Sequence, residues 1–169
     1  MDIIHSKDFD MKNRLILLLL IGTIFSACTK VPIKQESAFI VLKTPTMKYA
    51  DMGFISEFES QVNVDIYAAG QPLLSFEISR ANVCMSLFKC LDKEHFNEKV
   101  LNVNYPPDVL ENIFRAKPIF NKQGFKKTEE GFKQNIKKEG LYDISYSVVS
   151  GQRVFRDTIN KILIKVREQ

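Results

Sequence analysis

Apolar and polar side chains alternate through most of this chain, and a period of two leaves β-strand as the structure able to put them on opposite sides. In VNVDIYA, Val62, Val64 and Ile66 share one face while Asn63 and Asp65 take the other. LLSFEIS repeats the pattern: Leu74, Phe76 and Ile78 share the core face, which leaves Leu73 on the opposite face or at the tip. AFIVLKT, FISEFES and NVCMSLF read as further strands, as do GFKQNIKK, YDISYSVV and RVFRD. NKILIKVRE closes the series, with Ile162, Ile164 and Val166 set against Lys161, Leu163 and Lys165. Clean alternation belongs to antiparallel sheets with one covered face. AAGQP (Ala68 to Pro72) and VVSGQRV place turn formers between two runs and read as hairpin connections.

Helical spacing is confined to the middle. DKEHFNEKVLN offers Asp92 as a cap with Phe96, Val100 and Leu101 on one side. In YPPDVLENIFRAKPIF, Pro106 and Pro107 suit a helix start and Asp108 and Glu111 suit its first turn. Val109, Leu110, Ile113 and Phe114 form the apolar stripe, and Lys117 before Pro118 ends it. The expected fold is mainly β (α+β): a curved antiparallel sheet of about eight strands, one opening covered by a short helical insert. Such a sheet either packs shut or encloses an apolar cavity, and alternation reads the same for both.

RLILLLLIGTIFSAC, Arg14 to Cys28, is too short for a span of roughly 20 apolar residues. It has the parts of an export signal: Lys12 and Arg14, an apolar stretch from Leu15 to Phe25, then small residues. FSAC resembles a bacterial lipobox, with Phe25 where Leu is usual, so residues 1–27 are expected to be a signal peptide cleaved before Cys28. Residues 1–10 carry three acids where a signal is basic, and Met11 followed by Lys12 reads as the natural start. Cys28 would carry covalent diacylglycerol and an N-acyl chain such as palmitate, with no other cofactor. Two or more chains, at ~0.8 kcal/mol per buried methylene, anchor stably. Thr29 stands where Asp would signal inner-membrane retention, which by the same resemblance implies the outer membrane with the domain facing the periplasm. Residues 28–37 read as the lipidated N-terminus and tether, and residues 38–169 as a single domain.

With Cys28 acylated, Cys84 and Cys90 remain as an even pair in an oxidising space. On one straight strand they would stand ~20 Å apart, so a disulfide requires a turn between them. Two reduced, buried cysteines are the alternative. Their spacing does not fit a C-x₂-C metal knuckle, and His95 is the one histidine after Cys28, so no metal site is expected. G-x-S-x-G, H-E-x-x-H, G-x-G-x-x-G and P-loop patterns are missing, and no catalytic residue is expected. His95 reads as a solvated helix residue, Glu129 and Glu130 as loop residues pointing apart, and Asp157 as a turn or surface pair. From Arg115 to Lys138 there are eight basic and two acidic residues, either a patch for anionic head groups or a solvated loop. Nucleic acid does not suit an exported chain.

The order of a tethered N-terminus, a curved sheet, an insert ending in KPIF and four closing strands resembles the LolB family of outer-membrane lipoproteins. The likeness is best from VNVDIYAAGQPLLSFEIS through PPDVLENIFRAKPIF, then YDISYSVV and KILIKVRE, about two thirds of the chain after Cys28. Tryptophans common in that family are missing here, and the cysteine pair lies outside its pattern. The resemblance implies an unclosed β-barrel with helices as a lid, a monomer that receives lipoprotein cargo or acyl chains from a LolA-like periplasmic carrier and passes them to outer-membrane lipid. It also implies that the AAGQPLL tip, with Pro72 and Leu73, meets the membrane. A structural or interaction lipoprotein aiding outer-membrane or surface-appendage assembly is the alternative. Replacing Cys28 with Ala should leave an unlipidated precursor that salt and carbonate washes strip from membranes; fractionation like the wild type would contradict acylation at Cys28.

Overall fold

The computed structural model describes residues 31–86 and 88–169. The export-type segment, Cys28 and the first residues of the expected tether, as far as residue 30, lie outside the described residues. Six strands come first: β1 (Lys34–Lys43), β2 (Lys48–Glu57), β3 (Gln61–Ala68), β4 (Gln71–Ser79), β5 (Asn82–Met85) and β6 (Phe88–Asp92). Helices α1 (Lys93–Val100) and α2 (Val109–Phe114) follow. Five strands complete the fold: β7 (Phe125–Thr128), β8 (Gly131–Lys138), β9 (Tyr142–Val149), β10 (Gln152–Asp157) and β11 (Ile162–Glu168). Among the described residues, no helix is long and apolar enough to cross a membrane.

All eleven strands join one antiparallel, unclosed sheet in the order β6-β5-β4-β3-β2-β1-β11-β10-β9-β8-β7. The first and last strands therefore meet in the middle, from Ala38 opposite Glu168 to Lys43 opposite Leu163. Alternation places the core as expected on β3, β4 and β11: Val62, Val64, Ile66, Leu74, Phe76, Ile78, Ile162, Ile164 and Val166 are all buried. Each such aliphatic side chain contributes about 1.5–3 kcal/mol relative to exposure. Gly53 on β2 sits where a Cβ would overlap the carbonyl oxygen of Asp65 on β3 and stand 2.9 Å from Ile40 Cδ1 on β1. Only a glycine lets β2 lie this close to both the β3 backbone and an inward side chain of β1.

The insert from α1 to β7 covers the inner face. Phe96, Val100, Tyr105, Leu110, Phe114 and Phe120 are buried in one core cluster with the inward residues of the sheet. Phe96 meets Phe76 of β4 edge to face at 6.2 Å, and Tyr105 meets Phe155 of β10 at 5.8 Å. Asp92 caps α1, accepting from the His95 N–H at 2.9 Å. His95 is a surface residue, as expected, with its ring Nδ1 on Asp92 at 2.5 Å.

Four expectations are corrected. Among the described residues the sheet has eleven strands, not about eight, because short pieces without enough alternation to register, β6 and β7 among them, also pair. NVCMSLF is not one strand: β5 ends at Met85 and β6 starts at Phe88. The residues expected to form the tether as far as Ser37 include four of β1, since Lys34 already pairs with Glu57. Finally, α2 ends at Phe114 and not at Lys117, because Ala116 takes a φ of 54° and the Lys117 N–H bonds back to Asn112 O at 2.8 Å.

A charged cluster also faces inward. Arg153 of β10 is 1 % exposed, pairs with Glu36 of β1, reaches Glu168 of β11 at 3.1 Å and donates to the Phe114 carbonyl at the end of α2 at 2.7 Å. Lys34 lies 2.5 Å from Glu36. Arg153→Met should lower the unfolding free energy by about 1–3 kcal/mol, because Glu36 would keep only Lys34 and the Phe114 carbonyl would lose its donor. Urea titration checks this, and adding Glu36→Gln to that chain should restore part of the loss.

Candidate functional site

The surface with functional potential is the inner face together with the insert that covers it, flanked by the β3–β4 hairpin. Apolar burial and a set of polar contacts hold the insert, and side chains from the sheet supply several of the latter. Gln134 on β8 accepts from the Ile119 N–H at 2.9 Å and donates to the carbonyls of Ile119 at 3.0 Å and Gln123 at 2.8 Å. One amide thereby does for irregular backbone what a neighbouring strand would do. Asn97 of α1 donates to the carbonyls of Tyr105 and Pro106. Arg115 donates to Glu111 at 2.8 Å and to the Phe58 carbonyl at 3.1 Å, reaching past the end of β2. Lys93 is buried and bonds Glu111 at 2.7 Å. Burial pushes the Glu111 carboxyl up, but Lys93 and Arg115 outweigh it and hold it below its ordinary range.

Asp157 does sit at a turn, as expected, but it is not a surface pair with its neighbour Arg156. It is 1 % exposed and accepts the hydroxyl of Tyr105 from the insert, the side chain of Asn160 at 2.7 Å and the Asp143 N–H at 3.2 Å. It also accepts the Ile159 N–H at 3.0 Å, so one carboxylate closes the β10–β11 turn and holds the insert. Burial raises its pKa and these donors more than reverse that, while the buried Tyr105 hydroxyl beside it is pushed well up. The sequence did not single out Arg153 or Gln134, and it marked Asp157 only as a turn or surface pair. A signal existed for two of them: Arg153 and Asp157 lie two residues either side of the buried Phe155, on its face. Tyr146, 1 % exposed, keeps a buried hydroxyl with no hydrogen-bond partner among the described residues.

The hairpin tip is built by two left-handed residues, Ala69 (φ 50°) and Gly70 (φ 78°), the geometry of a two-residue turn between twisted strands. Register runs Tyr67 opposite Pro72 and Ile66 opposite Leu74, so Leu73 is the unpaired bulge residue. Pro72, which lacks an N–H, is tolerated beside a bulge. Leu74 is 1 % exposed and Leu73 is 43 % exposed. Cys84 and Cys90 fall opposite one another on β5 and β6 and are joined by a disulfide, with Cα atoms 3.9 Å apart. The loop is short, so the chain-entropy estimate gives about 2.4 kcal/mol. The bridge staples the edge hairpin from which the insert departs, and lies away from the Leu73 bulge by one strand. Glu130 accepts from the Ser150 hydroxyl and makes no pair with Glu129. Among the described residues, no group of His, Cys, Asp and Glu side chains is placed to hold a metal.

No family model and no curated protein matches the sequence.

Three depressed carboxylates within the fold, Glu36, Glu111 and Asp157, set the direction of the acid response, and the exposed Asp92, held low by His95, acts in the same direction. In the unfolded chain they take up protons near pH ~4, before their folded counterparts do. The unfolded state thus binds more protons in that window, and stability falls as the pH drops through it. Urea midpoints should be nearly constant from pH 7 to about pH 5 and fall steeply below about pH 4. Asp157→Asn should lower the midpoint at neutral pH and flatten the fall.

Proposed function

We propose that the protein is a LolB-like outer-membrane lipoprotein, an unclosed β-barrel that takes up acyl chains or lipoprotein cargo against its inner face and delivers them to the membrane. The observation that carries this reading is the relation between the sheet and its insert. A wide apolar inner face is covered by one irregular segment, which side-chain hydrogen bonds from Gln134, Arg153 and Asp157 retain. A cover held this way lifts at lower cost than a strand of the sheet, because its own backbone bonds are few and local. Cargo chains would replace the contacts of Phe96, Tyr105 and Phe120 with equivalent apolar ones. The chain works without catalysis in this reading, as a monomer between a LolA-like carrier and outer-membrane lipid.

A second reading has its own support. Aromatic side chains of the insert already fill the space beside β4, β9 and β10, with Phe120 5.2 Å from Tyr142 and Tyr105 5.8 Å from Phe155. A filled core of this kind suits a structural or interaction lipoprotein that binds protein through its loops. Native mass spectrometry of the full chain discriminates the two: co-purifying acyl chains support transfer, and a bare protein supports the scaffold.

Leu73 tests the delivery step. Its side chain is 43 % exposed on a bulge, so Leu73→Glu should change stability by no more than about 0.5 kcal/mol. Release of cargo lipoprotein to vesicles should nevertheless fall about tenfold, since a buried charge at the membrane replaces an apolar contact. A folded variant with undiminished release would remove Leu73 from the site.

A further inference from the structure

The outward face of the central strands is as patterned as the inward one. Inward positions on β1, β2, β10 and β11 are those of Ile40, Ile55, Phe155 and Ile164, so the intervening residues face out. These four strands are contiguous in the sheet. Their outward residues include five cations, Lys43, Lys48, Arg156, Lys165 and Arg167, and no carboxylate. None of the five enters an ion pair among the described residues. Met52 and Phe54 stand on the same face, 40 and 44 % exposed. Phe39 lies opposite Met52, with the Arg167 guanidinium 5.9 Å from its ring centre. The acidic outward residues of the neighbouring strands, Asp65 on β3 and Glu77 on β4, begin where this field ends.

We propose that this outward face of β10, β11, β1 and β2 lies against an anionic bilayer, with Lys43, Lys48, Arg156, Lys165 and Arg167 over the head groups and Met52 and Phe54 at their boundary with the acyl region. Cations contribute near a negatively charged surface, and apolar side chains beside them add burial. The length of chain leading into the fold agrees. Cys28 precedes Lys34 by six residues, a reach of at most ~20 Å, and Phe54 pairs with Ser37, ~10 Å along β1 from Lys34. A lipid at Cys28 therefore holds this face within touching distance of the surface. The proposal rests on acylation at Cys28 for where the membrane is, and not on any transfer of cargo.

The chain has no tryptophan, so Phe54→Trp creates a single reporter. The full acylated chain carrying it would be reconstituted into phosphatidylcholine vesicles with and without phosphatidylglycerol. The expected result is a blue-shifted emission, quenched by brominated lipid, in the anionic vesicles alone. At about fivefold per cation, Arg156→Glu with Lys165→Glu and Arg167→Glu should reduce the docked population roughly a hundredfold. All three positions face solvent, so the fold should survive, and Glu77→Trp should stay unquenched throughout. A reporter unquenched in both vesicles, or quenched equally in both and unaffected by charge reversal, would overturn the proposal. Protection that grows with protein concentration without anionic lipid would overturn it too, assigning the face to a second copy of the chain. Cargo release, measured on the same chains, reports separately on the transfer reading.

Discussion

Irregular backbone lying under an apolar sheet must find a hydrogen-bond partner for each buried peptide group, and this requirement organises the molecule. The segment from α1 to β7 is too short and too interrupted to satisfy itself, so the sheet lends it side chains. Gln134 serves both polar groups of Ile119, Arg153 serves the last carbonyl of α2, and Asp157 takes the hydroxyl of Tyr105. Each of these polar groups stands on an inward position between apolar neighbours. An unpaired group there would cost about 1–3 kcal/mol, comparable with the burial of a whole aliphatic side chain. The polar residues within the core are thus a set of sockets whose spacing specifies where the insert sits, and their dependence on charge makes that position sensitive to acid.

Much of this was legible from residue order. Alternation placed β8 and β9 residue for residue and identified the buried faces of β3, β4 and β11, because each is long and flanked by a polar opposite face. β7 escaped because Phe125, Lys126, Lys127 and Thr128 carry no alternation, and it exists through pairing with β8 alone. The β5–β6 hairpin escaped because NVCMSLF looks continuous; the requirement that a Cys84–Cys90 bridge needs a turn contained the correction. Leu73 was placed off the core by register, although the bulge that frees it depends on tertiary pairing. Asp157 was read by residue type, as a turn or surface pair, and Arg153 was not singled out, although their position two residues from Phe155 assigned both to its buried face. Position on a strand outweighs chemistry when partners from distant segments are waiting.

The two faces of the sheet divide the work. The inner one meets the insert through shape and apolar contact, with most of its few polar groups already committed and the Tyr146 hydroxyl left without a partner among the described residues. The outer one is segregated by sign, cationic over β10 to β2 and acidic over β3 and β4, which gives the domain an electrostatic orientation. The disulfide and the lysines of β7 stand at the sheet's two edges, where exposed peptide groups invite pairing with other chains, and a staple or a charge discourages it.

The meeting of β1 with β11 at the middle of the sheet carries a consequence for how the molecule assembles. Ala38 and Glu168 are neighbours in space but stand at opposite ends of the strand sequence, with every other strand between them. The block of β1 to β6 and the block of β7 to β10 can each zip up locally through hairpins, yet each then presents an open strand at its inner border until β11 arrives. During synthesis, β11 emerges after all its partners, so the two halves wait as separate hairpin stacks. Contacts this distant in sequence make closure the slow step. The interval before it is when the chain is most open to chaperones, and to pairing with the wrong neighbour.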